Sequence, residues 1–573
     1  MKIYLKGVGN VELNKRHFVH EGGEGRVYVY KGRGIKIYKD PKSMIPVGKI
    51  DELNKIKDSH VITPQNVILD AKTKQPIGYE MRFLKDTISL ARVVTKVFRE
   101  RNGVTPEKIL KAVQQMQVGV KSVHATNALV VDGNIMNFQV SEAGYDEIFF
   151  IDVDSYQTPH YPATALMRDV RDYTIQNNKF TELSDWFTFG VVTAYFWLGM
   201  HPYKGKHPDY KVIQSDGKDK FLVTERRMRD HVSVFNSKVK TPGAAYPLDI
   251  IPPGYRDWYE AVLERGKREP PPTDAMRTVP LVHVARIIHS TDALTFEELK
   301  GFDATIQSVH GHPLVVVTES LVDWQGRKLQ RGGSGPLVVG STLDGDPVVG
   351  SSQRDTLKLV NVAAGTPVEF NSIARGVMNY DDRIYVHGLD SISEVEFSKI
   401  GNMTLSAVHR VANILESATE MFSGVAIQNL LGSVFVSVFP KAKEHRQIRM
   451  EELDGYRVVD AKFDNNVLMV IGEKKGRFDR LVFRFDEMHA YHQYDVRIED
   501  DIQLSSLNFV TLDSGVCICL NEDEDLEVFS NRKDARSIKV VKDKTLSGDM
   551  MLYKDGGRLL VAHDKKLYRL TMK

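Results

Sequence analysis

Short β-type hydrophobic runs dominate both ends of the chain, and helix-spaced apolar positions lie between them. Residues 1–85 contain the runs RVYVYKGRGIKIYKD and PIGYEMRFL, separated by a helical stretch, PVGKIDELNKIKDS. Residues 86–290 have apolar positions at helical spacing in PEKILKAVQQMQVGVKSVHAT and an almost wholly apolar helix in DWFTFGVVTAYFWLGM. A last helical stretch, VPLVHVARIIHS, follows the proline cluster REPPPTD. The pattern predicts an α+β unit that ends near residue 290.

From about residue 300 to residue 573, the pattern contains few helices and many short strands. Seven β-runs begin near Leu314, Val348, Ile384, Val434, Val467, Val516 and Leu559. Six steps over 245 positions give an average repeat of about 41 residues, the length of a four-stranded propeller blade. We therefore expect an all-β domain, a β-propeller of about seven blades. Because the repeat lacks a Trp-Asp signature, a pair of β-sandwiches is the alternative.

Composition and charge narrow the function classes. The chain has 573 residues, 42% hydrophobic and 27% charged, and a formal net charge of +2, which argues against a dedicated nucleic-acid-binding protein. The N-terminus lacks an apolar signal segment and no run of about 18 apolar residues occurs, so we expect a cytoplasmic protein without membrane insertion. The two cysteines, Cys517 and Cys519, share a face of one predicted strand without the geometry for a disulfide.

A glycine-rich turn, HEGGEGRVYVY, lies between two predicted strands near the N-terminus. Gly22, Gly25 and Val27 match the later part of a G-x-G-x-x-G-x-V loop, Gly23 lies within it, and His20 stands at the first glycine position. Glycines let a backbone approach phosphate groups closely. A plain β-hairpin is the alternative.

Three further positions fit a nucleotide site around this turn. Lys36 ends the next predicted strand, where it would hold phosphates, although a surface lysine is the alternative. Glu52, on the following helix, would pair with Lys36 and fix its direction, or would be solvated. The strand in QPIGYEMRFLKD leads to a hinge, where Met81 and Phe83 would meet an adenine edge.

Two later stretches carry the candidate acid–base and metal chemistry. LVVDGNIMNFQV places Asp132 five positions before Asn137, the spacing of a base that accepts a hydroxyl proton and an amide that binds Mg2+. EIFFIDVDSYQTP places Asp152 directly after a hydrophobic strand, where it would bind the Mg2+ that bridges the phosphates. Asp154 would share that role or cap the turn. Asp185 would cap its helix and reach back to the Asp132 loop.

Five stretches, in the order GGEGRVY, IKIYKD, VVDGNIMN, FFIDVDSYQ and SDWFTFGVVTAYFWLGMHPYKG, resemble the protein-kinase fold over about residues 15–280. The form IDVDSYQ is similar to a bacterial and phage branch of kinase-like proteins that carries IDxDSxQ in place of Asp-Phe-Gly. The resemblance implies a bilobal kinase-like domain, with an N-lobe over 1–85 and a C-lobe over 86–290, followed by a propeller-like domain over 300–573.

The same resemblance implies an ATP-dependent phosphotransferase acting on Ser/Thr hydroxyls, with ATP and Mg2+ as cofactors. Lys36 and Asp132 would be catalytic, and Asn137 and Asp152 would hold the metal. The glycine turn, Lys36, Glu52 and the hinge would bind the nucleotide. The propeller would recruit a protein substrate or partner, and we expect neither nucleic acid nor membrane as a partner.

Three departures from the kinase pattern keep other functions open. Val130 and Val131 stand at the His and Arg of the His-Arg-Asp motif, and Asn134 stands at the lysine that contacts the transferred phosphate. Without the Arg, a phosphorylated loop has no docking point, and without the lysine, a positive charge that stabilises the transition state is missing. The alternatives are a pseudokinase or nucleotide-binding scaffold, a structural interaction protein that is virion-associated if phage-encoded, and a small-molecule kinase.

Overall fold

The computed structural model describes residues 1–211, 218–273, 288–311, 313–332, 335–353 and 355–573. Over these residues the chain is mostly β-structure, in several antiparallel sheets, with its helices concentrated before residue 265. The helix predicted over 279–290 falls almost wholly outside the described residues. None of the helices found in the described part of the chain is both long and apolar enough to cross a membrane.

A seven-stranded antiparallel sheet forms the N-terminal part of the chain. Its strands are β1 (Lys2–Leu5), β2 (Gly9–Glu12), β3 (Phe18–Glu21), β4 (Gly25–Tyr30), β5 (Arg33–Tyr38), β6 (Asn66–Asp70) and β7 (Pro76–Arg82). They lie in the order β2-β1-β6-β7-β5-β4-β3. Gly78 allows β7 to lie against β5, because a Cβ at this position would overlap the carbonyl oxygen of Lys36. The strand that carries Lys36 is therefore central and tightly packed.

One helix lies between β5 and β6, and the other helices and a three-stranded sheet follow β7 and form the helical region, residues 87–264. The helices are α1 (Val47–Leu53), α2 (Leu90–Val93), α3 (Lys96–Asn102), α4 (Pro106–His124), α5 (Glu182–Leu198), α6 (Lys218–Arg229) and α7 (Pro253–Tyr259), the last continued by a π-turn over Glu260–Glu264. The three-stranded sheet has the order β10-β9-β8, with β8 at Thr87–Ser89, β9 at Phe138–Ser141 and β10 at Ile148–Phe150. Every residue of α5 from Ser184 onward is buried, as its apolar sequence predicted.

Seven four-stranded antiparallel sheets, called here the first to seventh small sheets, form the rest of the described chain. The first joins Leu294–Gly301 to Met551–Asp555, Arg558–His563 and Lys566–Met572. The second has Ile306–His310, Val315–Thr318, Leu321–Trp324 and Arg327–Gln330, and the third has Leu337–Ser341, Pro347–Gln353, Thr356–Asn361 and Thr366–Val368. The fourth has Gly376–Tyr380, Arg383–His387, Ser391–Ile400 and Met403–Asn413, and the fifth has Thr419–Phe422, Val425–Leu430, Ser433–Val438 and Arg446–Arg449. The sixth has Arg457–Asp464, Val467–Lys474, Arg477–Asp486 and Gln493–Glu499, and the seventh has Phe509–Thr511, Val516–Leu520, Leu526–Ser530 and Ile538–Val541.

Each of the seven predicted β-runs falls in a different small sheet. Five of them start the second strand of their sheet along the chain, whereas the runs near Val434 and Leu559 start the third strands of the fifth and first small sheets. Apolar clusters join each small sheet to the next one, from the first small sheet to the sixth. Ile518 of the seventh sheet packs in one cluster with Leu559 of the first. Cys517 and Cys519 form no disulfide, as the sequence predicted, and both are buried.

The largest apolar cluster is shared by the helices and the small sheets. It includes Val94 of the helical region and the fully buried Phe196 of α5, together with Ile471 of the sixth small sheet and Phe509 of the seventh. Lys204 adds a polar link, because its Nζ lies 3.1 Å from Oδ1 of Asp501. The two halves of the chain therefore share one core in this structure.

Candidate functional site

The glycine-rich turn connects β3 to β4 as a tight hairpin. The Gly22 amide donates a hydrogen bond to the carbonyl oxygen of Gly25 at 2.9 Å. A Cβ at Gly25 would lie 2.9 Å from the carbonyl oxygen of Ile37, whereas a Cβ at Gly23 would have open space around it. Val27 pairs with Lys36 across the β4–β5 ladder. The turn is thus a β-hairpin whose glycine backbone is exposed beside the lysine.

Lys36 is buried and forms an ion pair with the segment that follows β10. Its Nζ lies 2.7 Å from Oδ2 of Asp154 and 3.6 Å from Oδ1 of Asp152. The Tyr38 hydroxyl donates to the same Asp154 oxygen at 2.6 Å. Burial lowers the pKa of Lys36, but the two carboxylates more than offset this and hold its pKa above the usual value. Lys36 therefore stays charged, and its ion pairs connect the seven-stranded sheet to the helical region.

The structure does not form the predicted Lys36–Glu52 ion pair. Glu52 accepts hydrogen bonds from the backbone amide and ring of His160 instead, and the ion pairs of Lys36 among the described residues are with Asp152 and Asp154. Helix α1 turns Lys49 inward, where only 1% of it is exposed and its Nζ reaches the Pro162 carbonyl oxygen at 3.2 Å. Asp154, not Glu52, is therefore the close carboxylate partner of Lys36, and Glu52 pairs with His160.

Hydrogen bonds to Asp185 hold the backbone of the Asp132 loop. The carboxylate of Asp185 accepts the backbone N–H of Val130 at 2.7 Å and that of Val131 at 2.9 Å, and also binds His124. The predicted contact with the loop is confirmed, but the helix cap is Thr181, whose side chain accepts the Ser184 amide. Val131 has a φ of 60°, a costly conformation for a β-branched residue.

Asp132 and Asn137 lie together, as the sequence predicted for them. The side-chain nitrogen of Asn137 donates to the Asp132 carbonyl oxygen at 2.7 Å and to its Oδ2 at 3.3 Å. Asn134 donates to the same Oδ2 at 3.1 Å, and the Met167 amide donates to Oδ1 at 2.8 Å. Burial raises the pKa of Asp132, with these hydrogen bonds opposing the rise. Because the side-chain nitrogen of Asn137 makes these hydrogen bonds, its side-chain oxygen remains available to bind a cation.

Asp152 lies between three cationic or basic groups. It has a φ of 53°, and its Oδ2 lies 3.3 Å from Nη2 of Arg457, the first residue of the sixth small sheet. Burial alone would raise its pKa, but Lys36, Arg457 and His20 hold the pKa at about 2. Burial, with Arg457 adding to it, lowers the pKa of His20 to about 4. The carboxylate is ionised and a third exposed, so it remains open to a ligand.

The residues fit a magnesium–nucleotide complex in their donor chemistry. Oδ1 of Asp154 is buried and accepts no hydrogen bond in the described part of the chain. Asp152 and Asn137 offer two oxygen ligands, and Mg2+ usually takes one or two carboxylates and completes its shell with phosphate and water. No cluster of three His, Cys, Asp or Glu side chains able to hold a metal by itself occurs among the described residues.

The hinge residues lie at the edge of the same region. Met81, in β7, pairs with Gly34 of β5 and packs against the largest apolar cluster. Phe83 follows β7 and is partly exposed. Their contact with an adenine ring stays a prediction.

Sequence reasoning missed Tyr38, Lys49 and Arg457. Lys49 lies on a seven-residue helix, too short for its apolar period to fix which face is buried. Arg457 comes from a strand 305 positions after Asp152 and matches no motif. No local signal in the sequence identifies either residue.

Comparison with known proteins adds little. No protein-family model matches the chain, and no curated protein matches it significantly. Among solved structures, the chain is weakly similar to a fragment of the C. elegans twitchin kinase described as an autoregulated protein kinase with immunoglobulin domains. The alignment has 13% identity and a TM-score of 0.33, and covers 45% of this chain and 55% of that one. A likeness this weak carries no argument about function.

Proposed function

We propose that the chain is a kinase-like, Mg2+- and ATP-dependent phosphotransferase that acts on protein hydroxyl groups. The observation that carries the proposal is the buried cluster in which Lys36 contacts both Asp152 and Asp154 beside the glycine hairpin. Cationic and carboxylate groups concentrated next to an open glycine backbone suit a nucleotide phosphate with its metal ion. The strained φ of Val131, next to Asp132, supports a functional loop there.

Each residue would have one task in this proposal. Lys36 and the amides of the glycine hairpin would hold the phosphates, and Asp152 and Asn137 would hold Mg2+, which neutralises phosphate charge. Asp154 positions Lys36, the task that the sequence assigned to Glu52. Two of these groups, Lys36 and Asp154, are already in contact in the structure.

Asp132 would position the acceptor and receive its proton. The acceptor hydroxyl oxygen bonds to the γ-phosphorus while the bond from that phosphorus to the β,γ-bridging oxygen breaks. The bonding electron pair leaves with ADP, and the hydroxyl proton moves to Asp132. A raised pKa suits this task, because it makes the carboxylate a stronger base. The Met167 amide, which now occupies Oδ1, has to move before an acceptor can bind there.

We infer that the seven small sheets form a β-propeller that recruits the substrate or partner. A cavity of about 410 Å3 supports this inference, because every small sheet contributes a residue from one of its edge strands, or directly after that strand, to the lining. These residues are Tyr553, Gln307, Leu337, Asn379, Ser423, Lys462 and Val510. The first sheet joins Leu294–Gly301 to the C-terminal strands, a pairing that would close a ring.

A second candidate is a nucleotide-binding scaffold without transfer activity. Asp132 favours it, because both carboxylate oxygens are hydrogen-bonded and only 2% of the residue is exposed. In that case the nucleotide would stabilise the contact between the two halves of the chain. It predicts Mg2+-dependent ATP binding and no phosphate release.

The test measures binding and transfer separately on the full chain. Isothermal titration with Mg2+ and ATP should show binding by the wild type, weakened in Lys36→Ala and Asp152→Ala. Transfer of γ-labelled phosphate to a protein mixture should fall by about 10²–10⁴-fold in Asp132→Asn, while ATP binding is kept. Asp249→Asn, a change at an exposed carboxylate, is the control. Binding without transfer selects the scaffold, transfer to metabolites alone selects a small-molecule kinase, and no binding removes both nucleotide proposals.

A further inference from the structure

Arg457 places a guanidinium group inside the candidate nucleotide site. Its Nη2 lies 3.3 Å from Oδ2 of Asp152, and a Cβ added to Gly22 would lie 4.0 Å from the same nitrogen. The group therefore lies between the glycine hairpin and the carboxylate assigned to the metal. In the proposed function, this space belongs to the terminal phosphates of the nucleotide.

The kinase-like half lacks a cation that serine/threonine kinases commonly place at the transferred phosphate. Asn134 stands where kinases have a lysine that contacts the transferred phosphate, and an amide supplies no charge. Lys36 is already assigned to the phosphates that the glycine hairpin covers, where Asp154 positions it at 2.7 Å, so it does not supply this second cation. Arg457 supplies a positive charge at the same site from the other half of the chain.

The C-terminal half is fixed against the site near this arginine. Arg457 pairs with Glu473 in the ladder between the first two strands of the sixth small sheet. The turn at Gly432 of the fifth sheet packs against Glu21 at the end of β3, since a Cβ there would lie 2.7 Å from Oε1 of Glu21. The guanidinium is therefore carried by a rigid strand end that lies beside the glycine hairpin.

We propose that Arg457 is a phosphate-binding residue of the nucleotide site, contributed by the small-sheet domain. The inference rests on the proposed nucleotide binding and names the group that contacts the terminal phosphate. In the structure the guanidinium pairs with Asp152. With Mg2+ and ATP bound, Asp152 would hold the metal and the guanidinium would hold the phosphate oxygens. Arginine suits this exchange, because its planar fork binds carboxylate and phosphate oxygens in the same two-point geometry.

The opposite role is an inhibitory contact, in which the guanidinium occupies Asp152 and prevents the metal and the nucleotide from binding. The two roles predict opposite signs for the same substitution. Removal of a phosphate ligand weakens nucleotide binding, whereas removal of an inhibitory contact strengthens it.

The experiment is isothermal titration of the full chain with ATP, ADP and adenosine in the presence of Mg2+. Arg457→Ala should weaken ATP binding by about 10–100-fold, the loss of one charge-assisted hydrogen-bond pair. The effect on ADP should be smaller, and adenosine should bind as it does to the wild type. Arg457→Lys, which keeps the charge and loses the fork, should fall between the two. Arg327→Ala, at an exposed arginine of the second small sheet, is the matched control.

The outcomes separate this inference from the proposed function. If the wild type binds no ATP, the proposed function fails, and the inference falls with it. If the wild type binds ATP and Arg457→Ala binds equally well or more tightly, the inference is overturned while nucleotide binding stands. Should Arg457→Ala not fold, the Arg457→Lys titration decides, because an unchanged ATP to adenosine affinity ratio also overturns the inference.

Discussion

Neutralising Asp154 should destabilise the helical region more than neutralising an exposed carboxylate would. In Asp154→Asn, the amide keeps the shape and can still accept the Tyr38 hydroxyl, but Lys36 loses the partner 2.7 Å away. Breaking a buried ion pair costs about 3–5 kcal/mol, because the remaining charge stays buried without compensation. Asp152, 3.6 Å from the same Nζ, offsets part of this loss, so we expect the lower end, about 3 kcal/mol.

This loss can be followed by thermal unfolding. A change of 1 kcal/mol moves Tm by about 2–4 °C for a unit of 150–250 residues, so the expected decrease is roughly 6–12 °C. Trp186, Trp197 and Trp258 all lie in the helical region, and a Trp324→Phe background removes the remaining tryptophan of the chain. Tryptophan fluorescence then reports this region alone.

A control and a double variant make the test decisive. Asp249→Asn removes an exposed partner of Arg256 and should cost under about 1 kcal/mol. Lys36→Met combined with Asp154→Leu removes both buried charges, so it should regain most of the stability lost in either single variant. A Tm for Asp154→Asn within about 2 °C of that of Asp249→Asn would refute the buried-pair argument.

Three further outcomes follow from the geometry. In Gly119→Ala the Cβ would lie 2.5 Å from Cε2 of the buried Phe150, an overpacking cost of about 1–3 kcal/mol against a helix-propensity gain of about 1 kcal/mol, so urea unfolding should show a net loss of up to about 2 kcal/mol; a higher midpoint would contradict this. Burial, with Asp132 adding to it, raises the pKa of Asp169 to about 7, so its ionisation opposes folding increasingly as pH rises from about 4 to 7; Asp169→Asn should reduce the loss of stability between pH 5 and pH 8, and an identical pH profile would exclude this role. Burial raises the pKa of Cys517 and of Cys519, the latter to about 12, so thiol reagents at pH 8 should label them only after unfolding, and rapid labelling of the native chain would show that the seventh small sheet opens.

Local patterns predicted several of the elements and one local contact. The apolar sequence of α5 and the repeat of about 41 residues depend on short-range periodicity, and both correspond to elements in the structure. The five-residue spacing of Asp132 and Asn137 likewise brings the two side chains together, because one short loop fixes their distance. Features set within a few turns of chain were therefore accessible from the sequence.

Contacts between distant segments were not accessible in this way. Sequence reasoning assigned Glu52 to Lys36 and gave Asp154 a metal-binding or turn-capping role, because no local pattern measures which carboxylate the packing brings close to the lysine. The structure selects Asp154 because helix α1 buries Lys49 instead and leaves Glu52 with His160. Arg457 could not be predicted for the same reason, because its position depends on how the small sheets pack against the seven-stranded sheet.

The small sheets contact the loop around Asp132, where an acceptor would enter in the proposed function. The Met167 amide covers Oδ1 of Asp132, and the turn at Gly476 in the sixth small sheet lies against Met167, since a Cβ there would be 3.1 Å from its sulfur. Arg457 of the same sheet contacts Asp152. A shift that uncovers Asp132 therefore changes the contacts of the sheet that carries Arg457. If transfer occurs, acceptor entry and phosphate binding are coupled through one rigid sheet, and a partner bound to the small sheets could act on both steps.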